Sequence, residues 1–209
     1  MLMMQFLRLH FFCLIFFILV PPGSLVAQSW DLVKEQDGIK IYTRQEDGKS
    51  LKSYKGTAII KAPAEKVFTL IEDVHHTEWW DPNLSQIKVL AYEKNKRAQY
   101  YLVYNSPWPV ENRDLCAEVT VTIDPGKSVF TVSAVPVTGV IPEQEDKVRI
   151  KDYRQTWTIS SAGKDLAQVD LEGYVDLAGN IPVWISNMLV TESPINAISG
   201  IRRRMEHRK

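Results

Sequence analysis

Asp81, Glu111, Arg113, Asp114 and Tyr153 are side chains whose types allow acid–base chemistry on a bound molecule. General acid–base catalysis needs such a group within hydrogen-bond reach of the substrate. By type and spacing these five form no recognised catalytic set, so no catalytic residue is assigned. Arg113 beside Asp114 reads as an ion pair bracing the start of a strand, because an unpaired buried charge is costly. His75 and His76 stand in a polar loop without further ligands at zinc spacing, so no metal site is expected. Cys116 is expected on an outer sheet face or at a strand junction, as an inert lone thiol. The chemistry that remains is recognition. Tyr153, Gln155, Trp157 and Ile159 alternate, so they share one face of a strand. Two polar handles among apolar neighbours suit the orientation of an amphipathic ligand.

The elements that would hold these residues begin after a leader. Arg8 and His10 precede an apolar run from Phe11 to Val20, broken by Pro21, Pro22, Gly23 and Ser24, and Leu25-Val26-Ala27 offers a cleavage site. This is the pattern of a secretory signal peptide over residues 1–27. A membrane anchor, the alternative, needs about 20 apolar residues. The mature chain, residues 28–209, is long enough for one domain with a sizeable core, expected to be a secreted or periplasmic monomer. The other cysteine, Cys13, lies in the leader, so no internal disulfide is expected. A formal net charge of zero argues against bulk attraction to nucleic acid.

Along the mature chain, Ser29 to Glu35 predicts a short helix capped by Ser29, with Trp30 and Val33 facing inward. Ile39 to Arg44 and Leu51 to Lys61 predict a hairpin, and Ala62-Pro63-Ala64-Glu65 begins a helix with Val67, Phe68, Leu70 and Ile71 as its buried stripe. Six further strands are predicted at 87–92, 98–105, 112–123, 128–135, 147–160 and 166–177, with the 135–146 loop as a candidate mobile flap. Gly179 to Arg204 ends the chain as a long amphipathic helix entered through Pro182. Its apolar face, Trp184, Ile185, Met188, Leu189, Ile195, Ile198 and Ile201, must lie on the sheet. Pro194 and Gly200 both weaken it, the glycine by roughly 1 kcal/mol against alanine, so the helix is expected to do more than stabilise. The fold class is therefore α+β, a curved antiparallel sheet around a C-terminal helix, able to enclose a hydrophobic cavity.

Four motifs sharpen this. Trp80-Asp81 follows the second predicted helix, and Pro107-Trp108-Pro109-Val110-Glu111-Asn112-Arg113-Asp114 turns a corner between strands. Val148-Arg149-Ile150-Lys151-Asp152-Tyr153-Arg154-Gln155 opens a strand, and Gly179-Asn180-Ile181-Pro182-Val183-Trp184 leads into the last helix. In this order they resemble the START family, the steroidogenic-acute-regulatory-protein-related lipid transfer domains, over roughly Trp30 to Met205. The resemblance implies a helix-grip fold with a tunnel for one lipid, an activity of binding or carrying it, and no cofactor. The residues expected to line the tunnel are Trp80, Tyr104, Trp108, Arg113, Tyr153, Gln155, Trp157, Trp184, Ile185 and Met188. Phosphatidylcholine-carrying members have an arginine three residues before the tryptophan of the first motif, where this chain has Thr77. That departure puts a phosphate-bearing ligand in doubt and leaves fatty acids, sterols, carotenoids and other isoprenoids open. Arg202, Arg203 and Arg204, with Arg208 and Lys209, complement the helix dipole or meet anionic headgroups in a transient membrane contact. Two other readings stand beside lipid carriage. One is a cyclase or aromatase acting in the same cavity; the other is an interaction module whose aromatic side chains fill it.

Overall fold

The computed structural model describes residues 29–206 apart from Ser50, Glu78 and Asn180. The leader, Cys13, Arg208 and Lys209 lie outside the described residues. In chain order the elements are β1 (Asp31–Gln36), β2 (Ile39–Gln45), β3 (Lys52–Ile60), α1 (Ala64–Glu72), β4 (Leu84–Glu93), β5 (Arg97–Tyr104), β6 (Asn112–Asp124), β7 (Val129–Pro136), β8 (Lys147–Arg149), β9 (Asp152–Gly163), β10 (Leu166–Asp176) and α2 (Val183–Glu206). The strands form one curved sheet in the order β1-β2-β3-β10-β9-β7-β6-β5-β4, antiparallel along that path, with β8 added in parallel beside β6. The helix α2 lies against β3 and β2, and α1 packs on β7, β9 and β10.

The first element corrects the sequence reading. Residues expected to be a capped helix form the edge strand β1, paired antiparallel with β2 from Asp31↔Thr43 to Gln36↔Ile39. Asp37 and Gly38 both take positive φ, 53° and 70°, the two-residue turn whose twist matches a hairpin. A register shift between Leu32 and Lys34 breaks the twofold alternation and leaves Val33 47% exposed, so the strand period is hidden. Trp30 faces the Arg44 guanidinium, 4.4 Å from its ring centroid, rather than a core.

The second correction concerns the expected 147–160 strand, which is two strands. Ile150 donates its N–H to the Asp114 carbonyl at 2.9 Å, so the chain leaves β8 beside β6 before it enters β9. That arrangement places Arg149 on Asp114, with Nε and Nη2 at 2.7 and 2.9 Å from the carboxylate, and the Tyr101 hydroxyl donates to the same group at 3.0 Å. Asp114 is therefore the partner of Arg149, not of Arg113. Neighbours on a strand point to opposite faces, and a pair formed along one strand would have to cross the sheet. The 135–146 loop is no loose flap. Arg149 also donates to the Ile141 and Pro142 carbonyls at 3.1 Å, and Val137 and Ile141 pack over Tyr101, Val103 and Cys116. Cys116 thus faces outward, as expected, and is buried beneath this strap.

Glycines set how closely α2 approaches. A Cβ on Gly56 of β3 would stand 2.8 Å from Ile198 Cδ1 and 3.3 Å from Pro194 Cβ, and one on Gly200 would stand 2.8 Å from the Trp79 carbonyl. Ile195, Ile198 and Ile201 fill the seam between helix and sheet, fully or almost fully buried. Alanine at 200 would gain about 1 kcal/mol of helix propensity. Overpacking against a backbone carbonyl costs ~1–3 kcal/mol, so the clash wins. Gly200→Ala should lower the midpoint of urea unfolding, whereas a rise would mean that propensity decides. Asp114→Asn leaves the Arg149 charge buried without its carboxylate and should cost about 3 kcal/mol. The same variant should expose Cys116 to a thiol reagent much faster than in the parent protein.

Candidate functional site

Between the concave face of the sheet and α2 lies a cavity of about 130 Å³. Its walls follow the twofold period of the strands. Ala98, Tyr100, Leu102 and Tyr104 of β5, Ala117, Val119 and Val121 of β6, Val132 and Ala134 of β7, and Tyr153, Gln155 and Trp157 of β9 all line it. Small residues stand opposite large ones: Tyr100 pairs with Ala117, and Ala134 pairs with Gln155. Those alanines leave space that a larger side chain would fill. On the helix side the wall is Ser193, Pro194 and Ala197.

One end of the cavity is polar and sheltered. Gly173 sits between Tyr54 on β3 and Gln155 on β9, and a Cβ there would come within 2.3 Å of the Tyr54 ring. The missing side chain lets Tyr54 cross the strand and accept a hydrogen bond from Gln155 Nε2 at 3.3 Å. Burial pushes the Tyr54 hydroxyl pKa up to about 12, and it raises those of Tyr104 and Tyr153 as well. The Asp81 carboxylate adds to all three shifts, which places its field across these hydroxyls. Asp81 itself is held above the ordinary carboxylate value by burial, against an opposing hydrogen bond from the Asn83 N–H at 2.7 Å. Among the described residues no cation forms an ion pair with it. The other end reaches water through Glu93, Asn95 and Arg97. There the Tyr92 hydroxyl and the Asn95 N–H both donate to Glu72, tying α1 to the β4–β5 hairpin.

The structure gathers half of the residues expected to line a tunnel. Trp80, Tyr104, Tyr153, Gln155 and Trp157 stand on the cavity wall, with Trp80 edge-on to Tyr100 at 5.3 Å. The other five do not line it. Trp108 is 91% exposed at the corner, and Trp184 is 53% exposed on the outer side of α2. Arg113 is buried but reaches the Leu177, Ala178 and Glu111 carbonyls, so it knots the corner to the turn before α2. Ile185 and Met188 stand behind the wall, packed with Ile150, Leu177 and Leu115 in the cluster that also holds the cavity-lining Tyr100, Leu102 and Ala117. The apolar face of α2 is divided: its first turns seal the corner, and its middle faces the cavity with small residues. Tyr54, Tyr100, Ser193 and Ala197 were not expected on the wall. The available signals were the small residues at 193 and 197 and the glycine at 173.

Residues 53–199 match the model of the family described as polyketide cyclase / dehydrase and lipid transport. The chain belongs to this family. Its START character, read from the four motifs, is shown by its relatives. It is 31% identical over 188 residues to an uncharacterized protein of Pseudomonas aeruginosa, covering 89% of this chain and 91% of that one. It is 24% identical over 169 residues to the phosphatidylcholine transfer protein of Rattus norvegicus, covering 78% of each. A solved STAR-related lipid transfer protein fragment from Xanthomonas axonopodis is 29% identical and superposes with a TM-score of 0.75, covering 85% of this chain and 98% of that one. The cavity, its polar end and the helix that closes it thus sit in a START fold.

Asp81 makes the stability of this fold depend on pH in a definite direction. Its folded pKa lies above the unfolded one, so the penalty of an ionised buried carboxylate is absent below about pH 4 and develops as pH rises through the raised value. Asn at this position keeps the acceptor for the Asn83 N–H and removes the charge. Asp81→Asn should raise the melting temperature of the ligand-free protein at neutral pH, with the gain shrinking towards pH 3. A gain independent of pH would contradict this account.

Proposed function

We propose that the protein binds a single lipid or other hydrophobic small molecule in the cavity between the sheet and α2, and transfers or carries it outside the cytoplasm. The observation that supports this most is the wall: apolar side chains along most of its length, with Tyr54, Tyr104, Tyr153, Gln155 and Asp81 gathered at one sheltered end. Such a surface suits an amphiphile whose tail lies along β5 and β6 and whose head meets the hydroxyls. The signal-peptide pattern of residues 1–27 supports a secreted or periplasmic setting. Loading and delivery involve transient contact with a membrane surface, for which Trp108, Trp184 and Arg203 are exposed.

At about 130 Å³ the cavity is below the roughly 300 Å³ at which ligand pockets begin, so a lipid enters only if the walls part. The middle of α2 is suited to that movement, because Pro194 withholds one helical hydrogen bond at the cavity wall. The same small volume favours a second reading, an interaction module whose cavity is filled by its own side chains. The enzymatic alternative has Asp81 as its one sheltered acid and no histidine on the described wall.

Lipid extracted from protein purified from its own host decides between carriage and filling. Mass spectrometry should find one hydrophobic molecule per chain. Folded protein that contains none, and takes up none from vesicles carrying a panel of labelled lipids, would leave the filled module as the better account.

A further inference from the structure

The sheltered end of the cavity holds polar groups that the protein leaves unpaired. Among the described residues no hydrogen bond reaches the hydroxyls of Tyr104 or Tyr153, although burial shifts the pKa of both. Tyr54 accepts from Gln155, which leaves its own O–H to give. Asp81 lines the same cavity as these three hydroxyls, and the hydrogen bonds to its carboxylate come from Asn83. Hydroxyls that face a cavity without a protein partner take a water or a guest. The sign of charge then decides which guest. The one cation on the cavity wall is Arg97, at the exposed end of β5, whereas Tyr104 closes the strand at its other end. Seven residue steps of strand separate them, about 23 Å. A guest at Asp81 therefore meets a carboxylate with no basic side chain on the wall beside it. An anionic head would be repelled there, and a donor would be held by the carboxylate while the tyrosines bind any oxygen it carries.

We propose that Asp81, with Tyr54, Tyr104 and Tyr153, forms the headgroup subsite of the cavity. It selects a head that donates hydrogen bonds, a hydroxyl or an ammonium group, over a phosphate or a carboxylate. The inference rests on the lipid-binding reading above and adds to it the chemical class of the ligand. The alternative role for Asp81 is purely local: its Oδ1 receives the Asn83 N–H and shapes the turn into β4. That turn needs only one acceptor, which asparagine would also supply, so the two roles separate on substitution.

Four amphiphiles with one tail and different heads test the subsite: hexadecanol, hexadecylamine, hexadecanoate and hexadecyl phosphate, each competing with a fluorescent apolar probe at neutral pH. The alcohol and the amine should bind at least about tenfold more tightly than the carboxylate and the phosphate. Asp81→Asn should abolish the advantage of the amine and strengthen both anions, with the fold unchanged by circular dichroism. Equal binding of all four heads, or an order that Asp81→Asn does not alter, overturns the subsite and leaves lipid binding standing. Failure of every amphiphile to displace or bind overturns lipid binding, and the subsite with it.

Discussion

The contact between α2 and the sheet governs what this molecule can be. A ten-stranded sheet curved towards one long helix leaves more concave surface than the helix can cover, and the outcome depends on how near the helix lies and which residues it presents. Gly56 and Gly200 bring it close at its C-terminal half, where Ile195, Ile198 and Ile201 close the seam. Midway along, Ser193, Pro194 and Ala197 line the cavity together with Ala117 and Ala134, and these small side chains leave it open. Tight contact on one side of the helix and small side chains on the other follow from one placement of one element. The cavity is the remainder.

The rest of the sheet is organised to hold that placement. On the outer face, the Asp114–Arg149 pair draws β8 against β6 and straps the preceding loop over Tyr101 and Cys116. Asp114 has 0% exposure, so the pair is costly to desolvate and depends on its bidentate geometry and the Tyr101 hydroxyl. One residue earlier, Arg113 points the other way and binds the carbonyls of the turn that launches α2. Two adjacent residues of opposite parity thus tie both faces of β6, one to the strap and one to the helix. Asp81 stands outside this scaffolding: burial of its charge opposes folding, the pattern expected of a group retained for what it meets in the cavity.

Much of this was legible in the sequence, and the misses have physical causes. Twofold alternation over β9 located its inner face, and therefore Tyr153, Gln155 and Trp157. The ordered motifs located the family and the fold. The β1 strand was unreadable because a bulge destroys its period, and the Arg113–Asp114 pairing failed because adjacency in sequence is opposition across a sheet. Trp184, Ile185 and Met188 were placed on the cavity because an amphipathic face shows only that a helix is buried on one side. It does not show which of its residues reach the cavity wall. Tyr54 was missed because its reach depends on Gly173 of another strand, a long-range coincidence that no local pattern carries.

The central claim is that a lipid occupies the space facing Ala134, and filling that space tests it most directly. Ala134 lines the cavity from β7, on the same parity as buried Phe130 and Val132. Uptake of a labelled single-chain lipid from vesicles, measured for the wild-type protein and for Ala134→Phe, should show one molecule per wild-type chain and at least about a tenfold loss of affinity in a variant that remains folded. Equal uptake by both proteins would place the lipid elsewhere and contradict the account.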